Sequence, residues 1–479
     1  SFFFFCLFLT LASSYLLVGE VLPKTSKVSR FLSAIFYLVN PYALVNIWNR
    51  FLPNQIMFYS FLPLGIWLFI YGLRTKKYFF AVLNMVLTAI LSVAFIGPAQ
   101  TLMFWGLIFL IVVYYFIFVK KDKFVVFYFL INVCLWFAFN FFWVIQQLSF
   151  RFSQSYSVVS SSFFTSIGNF ETFNSLSREL GKLSNLFLLQ HGPFFIESFG
   201  FPYDWPLFYN HLFLLLLQWV FVIYVLIVAI KKIKSTWVNF FFLIFLVGIF
   251  TSKGNTQPLG EVLDFLFKNV SFLEFFRNPL EKSGILLSLG MTPLVALAIS
   301  ALDDFTRSLR KQVRFVLLSI PWIYLCVFLG FPFWTGLVFT NGYAPSNDLR
   351  VGYQVVVPDY YSEADRYLSN VAGISRFISL PLGGEGIFNT WPKGYVGVEQ
   401  SAVLFSIPSL FYDTTIPFYS NLVSNLEELF IRYPDFYRLA GMLNLKYLVF
   451  RPDFDYLRSG MRDPKVIDSL LSDRVSDPE

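Results

Sequence analysis

The chain has 479 residues, of which 57% are hydrophobic, 21% aromatic and only 14% charged, with a formal net charge of +7 and a mean hydropathy of +0.63. A soluble domain usually carries about a quarter charged residues, so this composition excludes a water-soluble fold and calls for lipid as solvent. The excess of positive charge does not indicate nucleic acid, because the basic residues fall in short clusters between apolar runs.

Taken in chain order, ten apolar runs have the length of spanning helices: 1–18, 31–48, 54–72, 78–96, 100–118, 124–147, 210–230, 236–251, 284–301 and 314–336. The first, Ser1 to Leu17 at its core, lacks the basic start and the small-residue cleavage site of a signal peptide. It reads as a spanning helix of a longer chain. The second run is interrupted by Asn40-Pro41, which predicts a kink or broken helix whose freed carbonyl needs a protein or water partner.

Five basic clusters, Lys24/Lys27/Arg30, Arg74/Lys76/Lys77, Lys120/Lys121/Lys123, Lys231/Lys232/Lys234 and Arg307/Arg310/Lys311/Arg314, recur at every second crossing. The positive-inside rule assigns that side to the cytoplasm of a multi-pass plasma (cytoplasmic) membrane protein. Segments 148–209 and 252–283 and the tail after about 338 then face outward. Between Glu20 and Asp122 there is no acidic residue, whereas the outward segments carry Glu171, Glu179, Glu197, Asp204, Glu261, Asp264, Glu274 and Glu281. Residues 259–270 have the pattern of a helix lying on the membrane, with Glu261, Asp264, Lys268 and Ser271 on one face.

The tail changes character. Val355 to Val357, Arg376 to Leu380 and Lys446 to Phe450 are strand candidates. Ser362-Glu363-Ala364-Asp365 resembles a capping box opening a helix, and Asn421 to Arg432 and Asp435 to Leu443 are helical in pattern. The expected architecture is thus a polytopic α-helical membrane region over 1–337 and a small extracytoplasmic α/β domain over 338–479.

Phosphate-loop, HExxH and GxSxG motifs are absent. Cys6, Cys134 and Cys326 all lie in apolar runs, so neither a disulfide framework nor a cysteine-rich metal site is indicated. His191 and His211 flank a loop with Glu197 and Asp204, where a divalent metal stays open beside ordinary loop polarity. Arg277-Asn278-Pro279-Leu280-Glu281-Lys282 opens a spanning helix, and its free N–H groups with Arg277 and Lys282 suit a lipid phosphate. Snorkelling anchors would have the same pattern. Arg50, Asn54 and Gln55 form a second polar patch at the same level, able to hydrogen-bond a sugar or headgroup, and Asp204 and Glu274 are further substrate-binding candidates. Asn40 and Gln100 sit at helix edges and are assigned no role, and Asn269-Val270-Ser271 matches a glycosylation acceptor. Trp391 and several Tyr of the tail could stack on sugars or form its core.

Three stretches carry a family resemblance: Leu38-Val39-Asn40-Pro41-Tyr42 with Asn54-Gln55 and Leu62-Pro63; Phe275-Phe276-Arg277-Asn278-Pro279; and Val357-Pro358-Asp359-Tyr360-Tyr361, Ser379-Leu380-Pro381 and Leu445-Lys446-Tyr447-Leu448-Val449. Together with the order of parts, they resemble GT-C-class membrane glycosyltransferases, closest to the group of YfhO-type, arabinofuranosyltransferase-like and 6-pyruvoyl-tetrahydropterin synthase-related membrane proteins. The resemblance implies transfer of a sugar from a polyprenyl-phosphate donor to a glycan or lipid acceptor outside the membrane. It also implies a catalytic Asp in a first outward loop, upstream of this chain, so no catalytic residue is carried over. The competing readings are a noncatalytic assembly scaffold and a lipid or glycan transporter. The spans, nearly free of internal charge and without repeated halves, fit a transporter less well.

Overall fold

A computed structural model describes residues 2–151, 166–190, 209, 211–336, 338, 356–371, 373–383, 387–391, 395–397, 399–411, 417–433 and 436–475. The chain falls into two compact units, Ser1–Phe150 with Ser166–Phe339, and Thr340–Glu479 with Arg151–Thr165.

The first unit is helical: α1 Phe2–Val21, α2 Lys27–Val39, a π-helical turn Ala43–Asn49, α3 Pro53–Thr75, α4 Tyr78–Ile90, α5 Pro98–Tyr114, α6 Lys123–Arg151, α7 Ser166–Leu180, α8 Leu183–Phe187, α9 Leu212–Lys231, α10 Thr236–Ser252, α11 Gly260–Asn269, α12 Pro279–Thr306, α13 Lys311–Trp322 and α14 Phe331–Trp334. Seven of the ten apolar runs are helices long and apolar enough to cross a membrane. The second run is a pair, Lys27–Val39 and Ala43–Asn49, bent by 66°, and the fourth and eighth are the shorter apolar helices Tyr78–Ile90 and Thr236–Ser252.

Helices α3 and α12 are the most enclosed of the spans. The hydrophobic effect gives helices in lipid no reason to associate, so close packing and interhelical hydrogen bonds must hold them. The contacts follow that rule. Thr10 Oγ1 donates to Ser60 Oγ at 2.8 Å and Ser13 Oγ to the Ser60 carbonyl at 3.0 Å, tying α1 to α3. Where α10 crosses α12, a Cβ on Gly290 would lie 2.6 Å from the Phe245 backbone nitrogen, and one on Gly248 would lie 2.9 Å from that of Leu287. Only glycine lets the two backbones approach this closely.

The break at Asn40-Pro41 is bridged by side chains. Asn40 Nδ2 donates to the carbonyls of Phe36 (3.1 Å) and Tyr37 (2.9 Å), and its Oδ1 accepts from Ala43 N (3.1 Å) and Ser288 Oγ (3.0 Å). One amide thereby ends α2, starts the next segment and pins both to α12. Trp48 Nε1 adds a bond to the Leu38 carbonyl at 2.7 Å. The Phe36, Tyr37 and Leu38 carbonyls thus find protein partners, as backbone at membrane depth requires.

Two ends of this bundle differ in charge. Arg74 pairs with Glu20 (2.9 Å), Lys76 with Asp122 (2.7 Å), and the Tyr114 hydroxyl with the Thr236 carbonyl (2.6 Å), so four basic loops share one end. Arg307 and Arg314 pair with Asp303 at the far end of α12 from Glu281.

The second unit contains helices and strands: α15 Asp359–Val371, β1 Arg376–Leu380, β2 Ile387–Asn389, β3 Tyr395–Gly397, α16 Ser401–Leu404, β4 Ser409–Leu410, α17 Pro417–Arg432, α18 Phe436–Met442, β5 Leu445–Phe450, α19 Tyr456–Ser459 and α20 Pro464–Val475. A parallel sheet has the order β4-β1-β5, and β2 pairs antiparallel with β3. Alternation along β1 sends Ile378 and Leu380 into a core with Val423, Leu426, Phe430 and Ile467, and Phe377 into one with Tyr361, Trp391 and Phe405. Helices therefore cover both faces, as a parallel sheet demands. Two expectations change. Val356 and Val357 are not in a strand, and the first helix of this unit starts at Asp359, so Ser362 lies inside it and bonds back to the Asp359 carbonyl at 2.7 Å.

Candidate functional site

The polar groups at the less basic end of the bundle converge on Glu281. Pro279 begins α12 without needing an N–H partner, which places Glu281 in the first turn, where the helix dipole favours an anion. Its carboxylate pairs with Arg50, accepts from Lys282 Nζ at 2.6 Å and Gln55 Nε2 at 2.7 Å on Oε1, and from Asn278 Nδ2 at 3.1 Å on Oε2. The Tyr42 hydroxyl donates to the Glu281 carbonyl at 2.8 Å. Residues from the π-helical turn region, α3 and α12 thus meet at one carboxylate.

Beside it lies a small pocket of about 20 Å³, lined by polar and apolar side chains alike, Gln55, Gln100, Glu281 and Lys282 with Phe58 and Ile285 among them. Gln55 is buried and its Oε1 has no hydrogen-bond partner. A second, apolar recess of about 210 Å³ runs between α5, α7, α10, α11 and α12, with Leu107, Phe173, Ile244, Leu263, Phe267 and Leu286 in its wall. Met103 lines both spaces. In α11, Leu263 and Phe267 face the recess, whereas Phe265 (65% exposed) and Leu259 (63% exposed), the residue just before the helix, present apolar surface outward. The polar cluster on Glu281 thus adjoins an apolar recess across Met103, the pairing that an amphiphile with a compact head and a hydrocarbon chain requires.

Of the residues singled out in the sequence, Arg50, Gln55 and Lys282 come together, and Glu281 is the group that joins them. Asn54 is half-buried in the first turn of α3, and Arg277 is half-buried just before α12. Glu274 falls in the 3₁₀ segment Ser271–Phe276, its side chain outside the described residues, and Asp204, Glu197 and His191 also lie outside them. His211 is exposed at the start of α9. Among the described residues no group of three or more His, Cys, Asp or Glu converges as a metal site. Asn269 is exposed and caps its own helix through Nδ2 to the Phe265 carbonyl at 2.7 Å. Asn40 and Gln100, assigned nothing from sequence, are respectively the keystone of the broken helix and part of the polar pocket. Trp391 is buried in the core of the second unit, so it offers no stacking face to solvent.

No protein-family model matches the chain, and no curated protein matches it either. Among solved structures, the mycobacterial arabinofuranosyltransferase AftD is similar at a TM-score of 0.56 and 14% identity, over 98% of this chain and 30% of that one. A point mutant of the same enzyme is similar at 0.56 and 14%, over 97% and 31%. This chain therefore spans about a third of the length of the enzyme it matches. The likeness is one of fold, that of a polytopic helical membrane protein, here with seven helices long and apolar enough to cross a membrane among the described residues. The solved structure that shares this fold is a membrane arabinofuranosyltransferase, and the likeness does not single out the YfhO type.

Proposed function

We propose that this chain is part of a GT-C-type glycosyltransferase that takes a sugar from a polyprenyl-phosphate donor and passes it to a glycan or lipid acceptor at the outer face of the plasma membrane. The observation that carries the reading is the cluster of Arg50, Lys282 and Gln55 on Glu281, set beside an apolar recess with Met103 between the two. The hydrocarbon chain lies in the recess, and Lys282 and Arg50, which meet at Glu281, neutralise the donor phosphate with Arg277, which precedes the same helix. In the reaction the bond between the anomeric carbon and the phosphate oxygen breaks. The acceptor hydroxyl oxygen bonds to that carbon and loses its proton to a base, and polyprenyl phosphate leaves. Glu281 already accepts from two cations and two amides, so it serves as the counter-ion that positions Arg50 and Lys282 rather than as that base. The basic end of the bundle faces the cytoplasm, which puts the pocket and the second unit outside.

The test is transfer of radiolabelled sugar from polyprenyl-phosphate donors in membranes expressing the full-length gene. Transfer that falls at least ~10-fold in Arg277→Ala and Lys282→Met, at equal protein level, supports the phosphate role. Undiminished transfer in both variants rejects that role, and no transfer by the wild type with any donor favours a noncatalytic assembly protein.

A further inference from the structure

All six buried polar or charged residues described in the second unit, Ser379, Asn389, Glu399, Gln400, Ser401 and Arg451, lie at one place. They gather outside the carboxyl ends of β1 and β5, where Arg451 N donates to the Leu380 carbonyl at 2.9 Å as the two parallel strands finish. Open parallel sheets bind their ligands at this edge.

Part of the cluster is satisfied internally. Arg451 reaches Glu399 Oε2 at 2.6 Å, Glu399 Oε1 accepts from Ser401 N at 2.9 Å and Ser401 Oγ at 2.5 Å, and Ser401 and Ser379 share a bond at 2.7 Å. A Cβ on Gly383 would come within 1.9 Å of Glu399 Oε2 and 2.3 Å of Ile387 Cδ1, so glycine there lets β2 close on the pair. Asp453 Oδ2 accepts from Tyr360 (2.6 Å), Tyr361 (2.9 Å) and Trp391 Nε1 (2.6 Å).

The remainder is unmet. Asn389 is 3% exposed and neither of its amide atoms has a partner. Gln400 is 6% exposed, and beside the Tyr395 hydroxyl neither of its amide atoms makes a well-formed bond. Arg451 Nε and Asp453 Oδ1 are also unpaired. Asn389 shares the buried face of β2 with Ile387, pairs with Tyr395, and bridges to Phe454, beside Asp453. Native proteins leave few buried polar atoms without a partner, and a concentration of them at one edge needs an explanation.

We propose that this edge is a binding site for a neutral saccharide, separate from the donor site of the first unit. The unmet atoms are a mixture: two amide carbonyls, two amide NH₂ groups, one guanidinium N–H and one carboxylate oxygen. A sugar hydroxyl both donates and accepts, so vicinal hydroxyls fill such a set. An anion is opposed by Asp453 and Glu399, and a cation by Arg451, with Glu399 already committed to it. Tyr360 is half-exposed with its hydroxyl on Asp453, so the surface is one ring away from the cluster.

The experiment is calorimetry and thermal shift on the full chain in nanodiscs, free of maltoside detergent. The probes are neutral pentose and hexose oligosaccharides up to the order of 10 mM, since single-sugar sites bind weakly, with a uronic-acid oligomer and inorganic phosphate as charged controls. At least one neutral oligosaccharide should bind and raise the melting temperature. Asn389→Leu and Gln400→Leu should each weaken that binding by ~10-fold or more while the chain still folds, because a site built to hydrogen-bond hydroxyls discriminates through those bonds. Three results would each overturn the assignment: no neutral oligosaccharide binds, the two Leu variants bind as the wild type does, or a charged control binds in preference. Transfer activity is read separately, so failure here leaves the donor-site reading to its own test.

Discussion

Replacing Glu281 by Gln should loosen the polar junction without emptying it. The variant keeps the side chain's shape but removes its charge and turns one oxygen into an NH₂ that faces donors. Hydrogen bonds to charged groups contribute about 1.5–3 kcal/mol each, and removing one member of a buried ion pair costs about 3–5 kcal/mol. Arg50 is 44% exposed and regains water when released, so its share falls toward the roughly 0–1 kcal/mol of a surface pair. Lys282 is 23% exposed and Gln55 is buried, so their bonds, at 2.6 and 2.7 Å, are harder to replace. The net loss should be about 2–4 kcal/mol. At about 2 °C per kcal/mol, the low end of the usual range because this unit is large, the melting temperature should drop by roughly 4–8 °C. Thermal unfolding followed by size-exclusion fluorescence measures it. Combining Glu281→Gln with Lys282→Met should cost less than the sum of the single changes, since both break one bond. A drop below about 2 °C, or strict additivity of the two, would refute the view that Glu281 organises this end of the bundle.

Asn40→Leu should cost about 2–4 kcal/mol, because it takes the acceptor from the Ala43 N–H and the Ser288 hydroxyl inside the bundle, while the Phe36 and Tyr37 carbonyls keep the residue-40 N–H and the Tyr59 hydroxyl; thermal unfolding reads it, and Ser288→Ala should cost much less. Leu107→Trp fills the apolar recess and should lower the polyprenyl phosphate that co-purifies, measured by native mass spectrometry, with the melting temperature held as control. In the second unit, burial raises the Glu427 carboxyl above its ordinary 4.5, against the Leu382 N–H that favours its ionised form. The native state then binds a proton more readily than the unfolded chain. Stability from this group is present below the ordinary value and is lost as pH rises through the folded one. Glu427→Gln should flatten that part of the stability–pH curve, and an unaltered curve would remove Glu427 as its source.

The membrane character and the positions of the helices could be read directly from the sequence, because ~20-residue apolar runs have no alternative to spanning lipid. The polar candidates Arg50, Gln55 and Lys282 were also legible, as polar residues at helix ends. Their partner was not. Glu281 looked like one loop carboxylate among eight, and its tie to Gln55 joins residues 226 positions apart. Asn40 offered a weak signal, an amide directly before a proline, but which carbonyls it would serve depends on how far α2 and α12 approach. The same holds in the second unit. Strand β1 was evident from its run of apolar residues, whereas β2, β3 and β4 have three, three and two residues, too few for alternation to register. Local periodicity is written along the chain and sets which segments are helices or strands. Which buried polar atoms find partners is decided only when distant segments pack, since hydrogen bonds reach no farther than about 3 Å.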